Sequence, residues 1–204
     1  MYTWQTSRQQ TLERAVKLIA SYPTVTAIAL TGSEATGRAT AESDIDLFIQ
    51  VRPGRLWQTR LWLTLWLEMK QLRRNHQRIA GAICLNWWGT EFWPGLQARY
   101  PYRLIWQRVP INEKAATKQE PALWVKLLWA LDLFDQRSPW LGNQLERFWR
   151  WLQIAKIRRH PLTTAVGGAV RNSDQELGFH PPKPSPKPPE IPANQTPNVD
   201  VKTT

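Results

Sequence analysis

The sequence predicts an α/β (α+β) domain followed by helices and a disordered tail. Three observations carry this. Over the first 110 residues, helical periodicity alternates with short apolar runs bounded by Gly and Pro. From Pro121 to Arg159 only helical patterns remain. From Gly178 the chain reads "GFHPPKPSPKPPEIPANQTPNVDVKTT", dense in Pro and nearly free of apolar residues, which suits a polyproline-type disordered segment. The expected divisions are 1–110 for the α/β domain, 111–177 for a helical C-terminal segment and 178–204 for the tail.

The elements follow in order. Gln5 to about Ser21 reads as a helix, because Leu12, Ala15, Val16, Ile19 and Ala20 recur at helical spacing and Pro23 stops it. "VTAIAL", Val25 to Leu30, reads as a buried strand. Thr31-Gly32-Ser33 turns the chain, and "SEATGRATA" suits one or two helical turns and a loop. Asp44 to Val51 is a second strand, ended by Pro53-Gly54. Leu56 to about Asn75 reads as a long helix with Arg73, Arg74 and Arg78 at or beyond its last turn, where they suit the helix dipole. Ile79 to Trp88 reads as a third strand and Arg103 to Val109 as a fourth. Pro121 to Phe134 and Gly142 to Arg159 read as helices, with a weaker one over Thr163 to Arg171.

Composition narrows the function. The formal net charge is +11 in 204 residues, and residues 1–110 hold 14 basic against 7 acidic side chains, +7 of that total. An anionic partner such as a nucleotide or nucleic acid fits this excess. The lone Cys84 excludes an internal disulfide and a Cys-based zinc site, and fits a reducing, cytoplasmic setting. The first residues read as an amphipathic helix, not a leader, and "LWLTLWLEM" is too short to span a membrane, so no membrane partner is expected. Thirteen tryptophans are expected to fill the core and interhelical seams for the most part. The Trp-rich helices leave a partner protein or a homodimer open.

The chemistry concentrates in "LTGSEATGRATAESDIDLFIQV", residues 30 to 51. In a strand, side chains alternate faces, so Asp44 and Asp46 share one and Ile45, Leu47 and Ile49 the other. Two acids on one face repel unless a cation joins them, and their spacing of roughly 7 Å lets both bind one or two magnesium ions. Gly32 lets the backbone approach a ligand, and Ser33 adds a hydroxyl. Together these make donors for a phosphate tail and carboxylates for the ions. Arg38, Arg52, Arg99 and Arg103 are further cations in reach of phosphate, with nothing to rank them.

Strand, Gly-Ser, ten residues, Asp-Ile-Asp-Leu, strand resembles the signature of the DNA polymerase beta-like nucleotidyltransferase superfamily. Leu30, Gly32 and Ser33 with Asp44-Ile45-Asp46-Leu47 carry the resemblance, over about residues 25 to 51. The resemblance implies a small mixed sheet flanked by helices. It implies that Gly32 and Ser33 hold the phosphates of an NTP and that Asp44 and Asp46 bind Mg2+ while an acceptor attacks the alpha-phosphate. Active members also carry a third carboxylate on a later strand. Here that strand is "ICLNWW". By alternation Cys84, Asn86 and Trp88 share a face, and Ile83, Leu85 and Trp87 the other. Asn86 therefore stands where the acid is expected, and Glu91 is a poorer candidate beyond it. The expected function is magnesium-dependent transfer of a nucleoside monophosphate to a protein, small-molecule or nucleic-acid acceptor, with Asp44, Asp46 and Asn86 at the reacting centre. The rivals are a catalytically inactive nucleotide-binding module of the same fold and a basic nucleic-acid-binding protein.

Overall fold

The computed structural model describes residues 3–91, 101–108, 123–159, 169–173 and 175–180. Helix α1 (Trp4–Ala20) leads into β1 (Val25–Leu30), a single turn α2 (Gly32–Ala35), β2 (Ile45–Val51), α3 (Leu56–Met69), β3 (Ile83–Gly89) and β4 (Arg103–Gln107). Helices α4 (Leu123–Arg137) and α5 (Pro139–Arg159) follow, then β5 (Ala169–Asn172) and β6 (Glu176–His180). The tail beyond residue 180 and Arg99 lie outside the described residues.

The strands form one mixed sheet in the order β4-β1-β2-β3-β6-β5. β2 and β3 are parallel, and every other pairing is antiparallel. The parallel pair needs a crossover, and α3 supplies it. One sheet face carries Ile28, Leu30, Ile45, Leu47, Ile49, Ile83 and Trp88 into a core with Ile19, Leu63 and Leu67 of the helices. The other face holds a smaller cluster of Ala29, Phe48 and Trp87, the last two edge to face at 5.5 Å. The α/β reading and the mixed sheet are therefore present as expected.

Several local expectations need correction. The third strand does not alternate throughout. Asp46 pairs with Cys84 but Phe48 pairs with Trp87, so β3 holds one extra residue between these points. This β-bulge puts Trp87 on the Cys84 and Phe48 face and Trp88 in the core, the reverse of strict alternation. Helix α3 ends at Met69, short of Asn75. Gln71 takes a left-handed φ of 57° and Leu72 N–H donates to Leu67 O at 2.9 Å, which closes the helix end. The helix expected over Thr163 to Arg171 is not one at its end, because residues 169–172 form β5. Gly167-Gly168 ahead of them disfavours helix, and Val170 finds a strand partner in Phe179. Residues 176–180, through which the expected division at 177/178 passes, form one strand hydrogen-bonded to β3.

The C-terminal helices dock on the start of α3 through charge. The Glu146 carboxylate accepts from Trp57 N at 2.7 Å and Gln58 N at 2.9 Å, satisfying orphan donors of the α3 N-terminus. Arg52 donates to both oxygens of Asp132, and Arg55 donates to Asp135 at 2.5 and 2.8 Å. Gln153 donates to Trp57 O at 2.7 Å. Arg52 is therefore a docking residue in this structure. Among the tryptophans, Trp57, Trp87 and Trp88 are buried and Trp66, Trp106, Trp129 and Trp149 are partly so, whereas Trp4, Trp62, Trp140 and Trp151 are exposed. No helix among the described residues is long and apolar enough to cross a membrane.

Candidate active site

The site forms where the turn after β1 meets the starts of β2 and β3. Thr31 N–H donates to Asp46 O at 3.0 Å, which fastens the turn to β2. Gly32 follows with φ +62°, a conformation that costs a Gly nothing. A Cβ there would collide with Asp46 Oδ2 and lie 3.2 Å from its Cγ. Gly32 is thus required twice, for its φ and for the carboxylate beside it. Ser33 is half-buried, and its hydroxyl bonds no other described residue. Thr36 Oγ1 donates to Ser33 O at 3.1 Å and Arg38 N–H donates to the same oxygen at 2.9 Å, closing the turn. The exposed Arg38 side chain stands at the rim of this turn, with Nε 3.3 Å from Thr36 Oγ1.

The loop entering β2 is braced from α1. Arg8 is buried, and its guanidinium donates to Glu34 Oε1 at 2.9 Å, to Asp44 O at 3.1 Å and to Ser43 O. One cation thus fixes the single-turn α2 and the backbone of Asp44 together. An arginine in a helix of surface-type composition gives no sequence signal for this, since only the fold brings residue 8 to residue 44.

Ligand-type atoms of Asp44, Asp46 and Cys84 lie within 4.8 Å of one another. The two acids share a face, as the strand period requires. Cys84 joins them because the parallel register sets it directly beside Asp46. Burial, with Asp46 and Asp44 nearby, pushes the Cys84 thiol up to about 12, so it is protonated at neutral pH. Arg74 Nη1 lies 2.8 Å from Asp44 Oδ2 and 3.8 Å from Cys84 Sγ. Burial alone would lower the pKa of Arg74, but the contact with Cys84 and the charges of Asp44 and Asp46 outweigh it, and the net shift is upward. The expectation that Arg74 serves the α3 dipole is therefore replaced: α3 has ended before it, and its partner is Asp44.

The donor set fits a hard divalent cation at the carboxylates. Asp44 Oδ2 is shielded from solvent and its ion pair with Arg74 is off the line of a hydrogen bond, so the oxygen has no hydrogen-bond donor among the described residues. Oxygen ligands of this kind suit magnesium, and a neutral thiol adds little for such an ion. Asn86 lies within the bulge of β3, and its side chain lies outside the described residues. Glu91 is exposed beyond the far end of β3 from Cys84, about 20 Å along the chain at strand rise, and is outside the cluster.

The site is thus a glycine turn set against two converging carboxylates on the rim of a mixed sheet. Residues 11–83 match the family described as the nucleotidyltransferase domain. The matched segment, from within α1 to the start of β3, is therefore similar to a polymerase beta-like nucleotidyltransferase domain. No curated protein and no solved structure matched the chain.

Proposed function

We propose that this protein binds an NTP with magnesium and transfers its nucleoside monophosphate to an acceptor. The observation that carries the reading is the convergence of Asp44 and Asp46 beside Gly32 within a segment that matches the nucleotidyltransferase domain family. In this reading the Gly32 backbone and the Ser33 hydroxyl hold the phosphate tail. Arg38, at the rim of the same turn, adds positive charge. Asp44 and Asp46 hold the ion, which when bound supplies charge stabilisation at the phosphoryl oxygens. The acceptor oxygen attacks the alpha-phosphorus in line, the bond to the bridging oxygen breaks, and pyrophosphate leaves. Arg8 keeps Asp44 in register with the turn throughout.

A second reading has a specific observation in its favour. The third ligand-type group beside the two acids among the described residues is a protonated thiol, which neither ligates a hard ion well nor takes a proton from the acceptor. Asn86, within the bulge, has a neutral oxygen and no basic group. A nucleotide-binding module without transfer fits this arrangement. The basic excess also leaves a nucleic acid as the acceptor or as the bound partner. Incubation with Mg2+ and alpha-labelled NTPs separates the readings. Label on the protein or on added RNA, lost in Asp46→Asn, supports transfer. Binding without transfer supports the silent module. No binding removes both.

A further inference from the structure

Arg74 is an unusual neighbour for a pair of carboxylates meant for metal, because it brings a cation of the chain's own. It is not a loosely held surface side chain. Arg74 N–H donates to Ile83 O at 2.8 Å, and Arg73 forms a parallel bridge with Ile83, so the backbone is pinned along β3. The left-handed Gln71 ends α3 and turns the chain toward that edge. The guanidinium then reaches across Cys84 to Asp44 while remaining 45 % exposed, open to a ligand from solvent.

We infer that Arg74 is a built-in cation of the Asp44–Asp46–Cys84 cluster, and that the site takes one divalent ion with its nucleotide rather than two. The inference rests on the proposed nucleotide site and adds its metal count. Charge balance supports it. Three acids with two dications carry a net of one positive charge, the balance of a two-metal phosphoryl-transfer site with three carboxylates. Two acids, one dication and one guanidinium carry the same net charge. Among the described residues the third group is a thiol, and the guanidinium touches both it and Asp44. A guanidinium also donates planar pairs of hydrogen bonds to phosphate, which suits it to the triphosphate once the ion has taken up Asp44.

Two titrations test this, both reading free Mn2+ by its paramagnetic resonance signal. The first uses Mn2+ alone. Removal of the competing charge in Arg74→Met is expected to tighten Mn2+ binding about tenfold or more, whereas Arg74→Lys keeps the wild-type affinity. Unchanged or weaker binding in Arg74→Met, in protein whose circular dichroism shows it folded, overturns the inference. The second adds a non-hydrolysable NTP analogue. One Mn2+ per wild-type complex and two per Cys84→Asp/Arg74→Met complex are expected, and two in the wild type overturns the inference. Failure of the analogue to bind any variant, with the first titration as expected, refutes the nucleotide reading and leaves Arg74 as the cluster's cation.

Discussion

Replacing Gly32 by alanine separates two causes of the same requirement. The new side chain must hold φ at +62°, which costs an L-residue roughly 1–2 kcal/mol. Its Cβ must also displace the Asp46 carboxylate, which lies against the open face of the glycine. Driving that side chain about 30° off its rotamer costs a further ~0.5–1.5 kcal/mol. Together these give a loss of about 1.5–3.5 kcal/mol, read by urea denaturation, and Mn2+ affinity falls because Asp46 no longer faces Asp44. Gly37 is the control. Its φ is +68° but nothing lies within 4 Å of a Cβ there, so Gly37→Ala is expected to cost the conformational part alone and leave Mn2+ binding intact. Equal losses in the two variants, or normal Mn2+ binding by Gly32→Ala, refute the argument that Asp46 is packed against Gly32.

Three further outcomes are expected. Glu146→Gln removes the charge that satisfies the Trp57 and Gln58 N–H groups, and a loss of about 1–3 kcal/mol in the same denaturation assay is expected, with a smaller effect counting against charge-driven docking of α5. Arg8→Met leaves Glu34 and two carbonyls without their donor, so it is expected to destabilise by about 3 kcal/mol or more and to weaken Mn2+ binding through Asp44, whereas a purely stabilising role would leave the ion's affinity unchanged. The Cys84 thiol, 9 % exposed, is expected to react slowly with a disulfide reagent at pH 8 and quickly once the protein is unfolded. Its pKa is raised from 9.0 to about 12, so between those values the unfolded chain holds fewer protons than the folded one. The stability it contributes is complete below pH 9 and lost as pH rises toward 12, and Cys84→Ala is expected to flatten the fall between them.

The sequence made the heart of the site readable because it is local. Gly32 and Ser33 follow one strand, Asp44 and Asp46 open the next, and a period of two puts both acids on one face. The α/β class was readable from alternating patterns for the same reason. What escaped depends on partners far along the chain. The bulge in β3 is set by how residues 83–89 pair with β2, and "ICLNWW" shows no Gly or Pro to announce it. Alternation alone sets Cys84 and Asn86 on one face, and only the parallel register with β2 puts Cys84 beside Asp46. Arg74 reads as a helix-end charge until Gln71 is seen to stop α3 early. A positive φ at a glutamine has no marker in sequence. The strand over residues 176–180 exists because β3 offers it an edge. Nothing in the sequence marks Arg8, because only the fold brings Glu34, Ser43 and Asp44 to its guanidinium.

Calorimetric titration of an NTP into the protein, in Mg2+ and again in excess chelator, tests the central claim most directly. Nucleotide is expected to bind in Mg2+ alone, and Asp44→Asn or Asp46→Asn is expected to abolish that binding. Equal affinity with and without the ion, or binding that survives both substitutions, would contradict a site built from Gly32, Ser33 and the two aspartates.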